Sequence, residues 1–134
     1  MQVQLIERVP TVAEYLALRA SVGWHALAET PVRIGLQSSL YAVTAVHGPG
    51  AVGCGRIIGD RGIYFYLQDV ITQPRYQRQG VATGVMERLM AYVNATAARG
   101  AFVGLMAAPG LERFYSRFGF SRFPDDSPGM AIWR

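Results

Sequence analysis

Between Tyr41 and Thr72 the chain runs through three β-rich segments separated by glycine turns. "YAVTAVHG", "AVGCGRIIGD" and "IYFYLQDVIT" are dense in Val, Ile, Tyr and Phe, and "GPG" and "RG" divide them. Their hairpin spacing predicts an antiparallel meander. Upstream, "VQLIERV" (Val3 to Val9) alternates as a first strand. Thr11 and Glu14 then stand at capping-box spacing, so a helix is expected from Val12. Its apolar stripe would be Val12, Tyr15, Leu16 and Val22, with Gly23 as its stop. Thr30 before Pro31 suits the start of a second, short helix. After the meander, Val81, Val85, Leu89 and Tyr92 or Val93 repeat at helical spacing, and "AFVGLMA" reads as a strand. Strand, helix and strand in succession imply a parallel pairing by right-handed crossover. "GLERFYSRFGF" is expected to be a short helix ending at Gly119, and "SRFPDDSPGMAIWR" to have strand-like ends around a loop. The order β–α–α–β–β–β–α–β–α–β predicts an α/β (α+β) domain with a mixed sheet.

One domain covering residues 1–134 is expected, because 134 residues suffice for a core and no linker or repeat interrupts them. With 51% hydrophobic and 16% charged residues, disorder is excluded. No apolar run is long enough to span a bilayer, and the N-terminus lacks the pattern of a signal peptide. Cys54 is the single cysteine, so no internal disulfide forms, and the cytoplasm is the expected compartment. No membrane partner is expected. The net charge of +4 comes from thirteen arginines without a lysine, scattered and not interleaved with aromatics, so no nucleic-acid surface is expected. A modest positive field would still draw in a small anionic cofactor.

"DVITQPRYQRQGVATGVMERLMAYV" (Asp69 to Val93) passes from a strand through a proline turn into a helix. A helix N-terminus offers unpaired N–H groups and a partial positive charge, which suits an anion. Gly80 and Ala82 keep side chains small where a phosphate would approach; Gly84 adds room a turn further in, and Arg78 offers a charge. The spacing is not that of a nucleotide P-loop, and the glycines do not follow the first strand as in a dinucleotide fold. A pyrophosphate at a helix start remains, beside the simpler reading that Gly80 only turns the chain.

"VITQPRYQRQGVA" resembles motif A of the GNAT superfamily of N-acetyltransferases, with Gln77, Gly80 and Ala82 at the signature positions. "LERFYSRFGF" resembles that family's second signature, an aromatic–Tyr pair followed by Gly-Phe. The two lie in the family's order, and the element order also matches along the chain. The resemblance implies a mainly antiparallel central sheet, helices on both faces and a splayed strand pair at the cofactor site. It implies acetyl-CoA as co-substrate and no metal.

By the same resemblance, the backbone of Val70, Ile71 and Thr72 pairs with the pantetheine arm. Gln77 opens the loop, and N–H groups from Arg78, Gln79, Gly80, Val81, Ala82 and Thr83 take the pyrophosphate. Tyr115 matches the tyrosine that protonates the departing thiolate. On a helix from Leu111 to Phe118 it would sit one residue off the apolar stripe of Leu111, Phe114 and Phe118. Asp69 is the acidic candidate for taking the amine proton, directly or through water, beside the plainer reading of a strand-end carboxylate paired with an arginine. Trp24, Tyr66 and Gln68 are candidates to hold the acceptor, while His25 and His47 are expected at the surface. Where many family members have an asparagine, this chain reads "MAAPGLE". The implied function is acetyl transfer to a primary amine of a small molecule by direct attack in a ternary complex. An acetyl-CoA-binding sensor and a protein or peptide acetyltransferase stay open, as does a homodimer.

Overall fold

The structure, a computed structural model, describes residues 2–134. Five strands form one sheet in chain order: β1 (Gln4–Ile6), β2 (Tyr41–His47), β3 (Gly50–Gly59), β4 (Tyr64–Thr72) and β5 (Phe102–Gly104). The first four pair antiparallel with their neighbours, and β5 joins β4 in parallel. Helices α1 (Val12–Ser21), α2 (Glu29–Gln37), α3 (Val81–Thr96) and α4 (Glu112–Ser116) complete the fold. The expected mixed, mainly antiparallel sheet is therefore present.

Both faces of the sheet are covered. On one, Val43, Ile57, Phe65 and Leu67 meet Val85, Met86, Leu89 and Val93 of α3. Each of these helical side chains contributes roughly 1.5–3 kcal/mol by leaving water. On the other face Leu18 of α1 packs on Cys54 and Ile71, and Tyr15 joins Val32 and Leu36 to hold α1 against α2.

Local chemistry explains where the elements begin. Thr11 accepts from the Glu14 N–H and Glu14 accepts from the Thr11 N–H, so the capping box at the start of α1 closes as expected. Arg8 reinforces it with a 2.8 Å ion pair to Glu14. The turn between β3 and β4 is tied by one Asp60 carboxylate oxygen, which accepts the N–H groups of Gly62, Ile63 and Tyr64 at 2.9–3.0 Å.

Four expectations need correction. The second helix begins at Glu29, with Ala28 rather than Thr30 at its N-cap, so Pro31 lies within the first turn, where its missing N–H costs nothing. In α1 the stripe also includes Leu18, which carries the fully buried contact, while Val22, already the C-cap, packs half-buried against the same cluster. The fifth strand is three residues long rather than seven. Finally, no strand forms between Phe120 and Arg134, because nothing in the chain hydrogen-bonds with that segment as a ladder.

Candidate active site

The site is opened by an irregularity in β4. Cys54 pairs with Ile71 and Arg56 with Gln68, so Asp69 and Val70 together oppose the single residue Gly55. Asp69 holds φ at 58°, a left-handed conformation that one class of bulge uses and a side chain resists. Gly55 is glycine for a packing reason: a Cβ there would stand 2.6 Å from Val85 Cγ1 and 3.1 Å from Leu89 Cδ1. The bulge adds twist, and the β4–β5 ladder ends at Tyr66 and Gly104. From Leu67 to Thr72, β4 is hydrogen-bonded to β3 on one side and has no strand on the other.

A cavity of about 50 Å³ lies where the two strands part, and its walls include Trp24, Gln68, Asp69, Val70, Met106 and Tyr115. Five of the candidates named from the sequence are thus brought together. Tyr66 is not among them, because it lies in the part of β4 still paired with β5. His25 and His47 are exposed, as expected, although His47 Nδ1 holds the Tyr76 hydroxyl at 2.9 Å and so props the turn before α3.

Tyr115 departs from its expected orientation. It is the buried residue of α4 and joins the core beneath α3, while Leu111 is 39% exposed and Phe114 and Phe118 are half-buried. A helix of five residues has no full stripe; the one side chain pointing at the sheet decides its docking. Burial pushes the Tyr115 phenol above its ordinary value.

The Asp69 carboxylate is 2% exposed and committed to Arg56, whose Nε donates to Oδ2 at 2.8 Å. Arg56 Nη1 also donates to the Gly35 carbonyl at 3.1 Å and to Ser39 Oγ at 3.2 Å, tying the bulge to the end of α2. Burial first and the Asp69 charge second push the Tyr15 phenol up. The carboxylate is thus paired with an arginine, the plainer of the two readings offered by the sequence, and Asp69 also forms part of the cavity wall. Arg56 itself was missed in the sequence; its only signal is one charge inside the apolar run "GCGRIIG". Arg19 was missed too. Buried at the end of α1, it lies 5.4 Å over the Trp24 ring and donates to the His25 carbonyl at 2.9 Å, which sets the Trp24 wall of the cavity.

The loop into α3 starts with a 3₁₀ turn, Pro74–Tyr76. Gln77 Nε2 donates to the Thr72 carbonyl at 3.0 Å and closes the loop. Arg78 and Gly80 take positive φ, 62° and 85°. Gly80 is the N-cap of α3 and offers no side-chain cap, and no acidic residue sits in the first turn. The leading N–H groups of this 16-residue helix are left to an outside acceptor. A Cβ on Gly80 would meet nothing within 4 Å, so the approach is open. Gly84 has a different use from the one expected: a Cβ there would stand 2.9 Å from Leu5 Cδ1, so its lack of side chain seats α3 on β1. The uncapped helix start and the free β4 edge together fit a pyrophosphate joined to an amide-bearing arm.

The same architecture is found in known proteins. The family model of the acetyltransferase (GNAT) domain matches residues 22–129. A probable acetyltransferase of unknown function, SA2161 from meticillin-resistant Staphylococcus aureus, superposes with a TM-score of 0.94 at 31% identity, covering 99% of this chain and 100% of that one. An uncharacterized N-acetyltransferase, ycf52, of Pyropia yezoensis is 29% identical over 114 residues, 82% of this chain, which spans 64% of that relative's length. The chloroplastic serotonin N-acetyltransferase 2 of Oryza sativa subsp. japonica is 34% identical over 83 residues, 62% of this chain and 40% of that protein. With a parted strand pair, a tyrosine in the cavity beside it and an uncapped helix start, this chain belongs to the GNAT family of acetyltransferases.

Proposed function

We propose that this chain moves the acetyl group of acetyl-CoA to the primary amine of a small molecule, both substrates being bound together. The observation that supports it most is the free edge of β4 running from the Tyr115 cavity to the uncapped start of α3. In this reading N–H groups from Arg78 through Thr83 hold the pyrophosphate, and the backbone of Val70, Ile71 and Thr72 aligns the arm. When bound, acetyl-CoA supplies the thioester: the amine nitrogen bonds to its carbonyl carbon, the C–S bond breaks and sulfur leaves as thiolate. Tyr115, kept protonated by burial, donates its phenolic proton to that sulfur. Because Asp69 is held by Arg56, it accepts the amine proton only by way of water.

The cavity walls favour an amine with an apolar body. Trp24, Leu67, Met106 and Leu111 surround Gln68, whose amide shares the cavity with the Tyr115 phenol. Arylalkylamines therefore come first among acceptors, a choice supported by the serotonin N-acetyltransferase among the relatives. The test is thiol release from acetyl-CoA with arylalkylamines, polyamines, aminoglycosides, amino acids and lysine peptides. Turnover with an arylalkylamine is expected. Binding of acetyl-CoA without turnover on any amine would replace the enzyme by a sensor, and turnover confined to peptides would replace the small acceptor.

A further inference from the structure

Trp24 owes its place to the way α1 stops. Gly23 takes φ 77°, the Trp24 N–H folds back to the Arg19 carbonyl at 3.0 Å, and the Gly23 N–H reaches the Ala20 carbonyl at 3.1 Å. This left-handed stop turns the chain so that the half-buried Trp24 ring packs with Leu18, Cys54 and Ile71 and walls the cavity. The backbone sets where the residue lies. The orientation of its ring depends on what stands behind it.

Behind it is Arg19, 8% exposed and, among the described residues, without a carboxylate in ion-pair reach. Its guanidinium lies 5.4 Å from the Trp24 ring centroid and 5.7 Å from that of Tyr15, one turn earlier on the same face of α1. Nη2 donates to the His25 carbonyl at 2.9 Å and Nη1 to the Tyr15 hydroxyl at 3.4 Å, while Nε has no partner. A buried cation without an ion pair is a costly filling for a helix end, where leucine or methionine would pack without losing hydration. The Tyr15 hydroxyl carries the contact onward. It faces the Asp69 carboxylate, and burial together with that charge pushes the phenol up. Trp24, Arg19, Tyr15 and Asp69 thus form one chain of contacts, joined at its far end to Arg56. Its ends, Trp24 and Asp69, line the cavity; its middle, Arg19 and Tyr15, does not.

On the reading of that cavity as the acceptor site, on which this rests, we infer that Arg19 and Tyr15 are a positioning pair. From behind the cavity they fix the Trp24 ring and the Asp69 carboxylate relative to one another, and so set how tightly the acceptor is held. Asp69 sits in a bulge and Trp24 lies past a helix end, so neither wall is fixed by a regular ladder or helix of its own. The pair supplies what those two elements lack, a rigid link between them.

The test follows Trp24 directly, in a Trp133→Phe chain that leaves it as the only indole. Arg19→Met keeps the apolar stem and removes the cation; Tyr15→Phe keeps the ring and removes only the hydroxyl. Circular dichroism checks both folds. In Arg19→Met the acrylamide quenching constant of Trp24 should rise about threefold or more. The acceptor KM should rise about tenfold, the scale of one desolvated cation–π contact, with kcat within about threefold. Acetyl-CoA affinity should stay within about twofold, because the β4 edge and the start of α3 are untouched. Tyr15→Phe, the milder change, should move quenching and KM the same way by about twofold or more, and the double variant should do no more than Arg19→Met alone, since one link is lost once. A merely structural pair would lower Tm and leave quenching and KM at their wild-type values in both variants; that result overturns the inference. So does a double variant whose effects multiply, which would make the two residues independent. Absence of turnover in the unaltered chain would count against the acceptor reading alone: Trp24 quenching unmoved by Arg19→Met would still overturn the pair, and a rise would still support it.

Discussion

Tyr115 stays protonated through neutral pH because burial raises its phenol, so in the proposed reaction it is suited to donate a proton and not to take one. Tyr115→Phe should keep the packing and lower turnover by roughly 100-fold, the scale of general-acid catalysis. Acetyl-CoA affinity by calorimetry should stay within about twofold. An unchanged rate would take the proton-donor role away from it. Asp69 behaves in the opposite way: charge in a dry site requires its partner. Arg56→Ala strands that carboxylate and should cost about 3–5 kcal/mol in denaturant unfolding, whereas replacing the pair together by apolar residues should cost less. The Cys54 thiol is pushed up to about 12, chiefly by burial, from an ordinary 9.0. Its contribution to stability is therefore intact below about pH 9 and is lost as pH rises through about 12. Folded protein at pH 8 should leave a thiol reagent unreacted, and addition of denaturant should release one thiol per chain. The tyrosine was legible because its neighbours in sequence form a motif. Arg56 was not, because what gives it meaning is a carboxylate thirteen positions away on the next strand.

Glycine and bulge set the geometry of β4. Since Gly55 lies under α3, Gly55→Ala forces Val85 and Leu89 to move or the bulge to shift. It should destabilise by about 1–3 kcal/mol, as overpacking does, and raise the KM for acetyl-CoA as the free edge of β4 is re-aimed. Thermal melts and kinetics on the same preparation check both, and a melt within about 1 °C of wild type would show that the helix has slack here. The start of α1 and the strand turns were legible in sequence because capping boxes and glycine turns work within three or four residues. The bulge was not. Nothing local distinguishes Asp69 at φ 58° from a residue in regular strand; the pairing partner Gly55 and the helix above it decide.

For the molecule as a whole, acetyl-CoA should act as a clamp between β4 and α3. At about 100 times its dissociation constant it adds about 2.7 kcal/mol to stability, which for a chain of this size raises Tm by on the order of 10 °C. Differential scanning fluorimetry with and without the ligand measures this, and an unmoved Tm would contradict the pyrophosphate site at α3. Hydrophobic period, turn chemistry and the two signatures were enough to read the order of elements as far as α4 and to single out the loop before α3, because each is written among near neighbours. They could not say where β4 leaves β5, that Asp69 turns to Arg56, or that the last apolar run stays unpaired. Those outcomes belong to tertiary structure: an edge strand exists only where another backbone supplies its hydrogen bonds, and a buried charge points only where its partner stands.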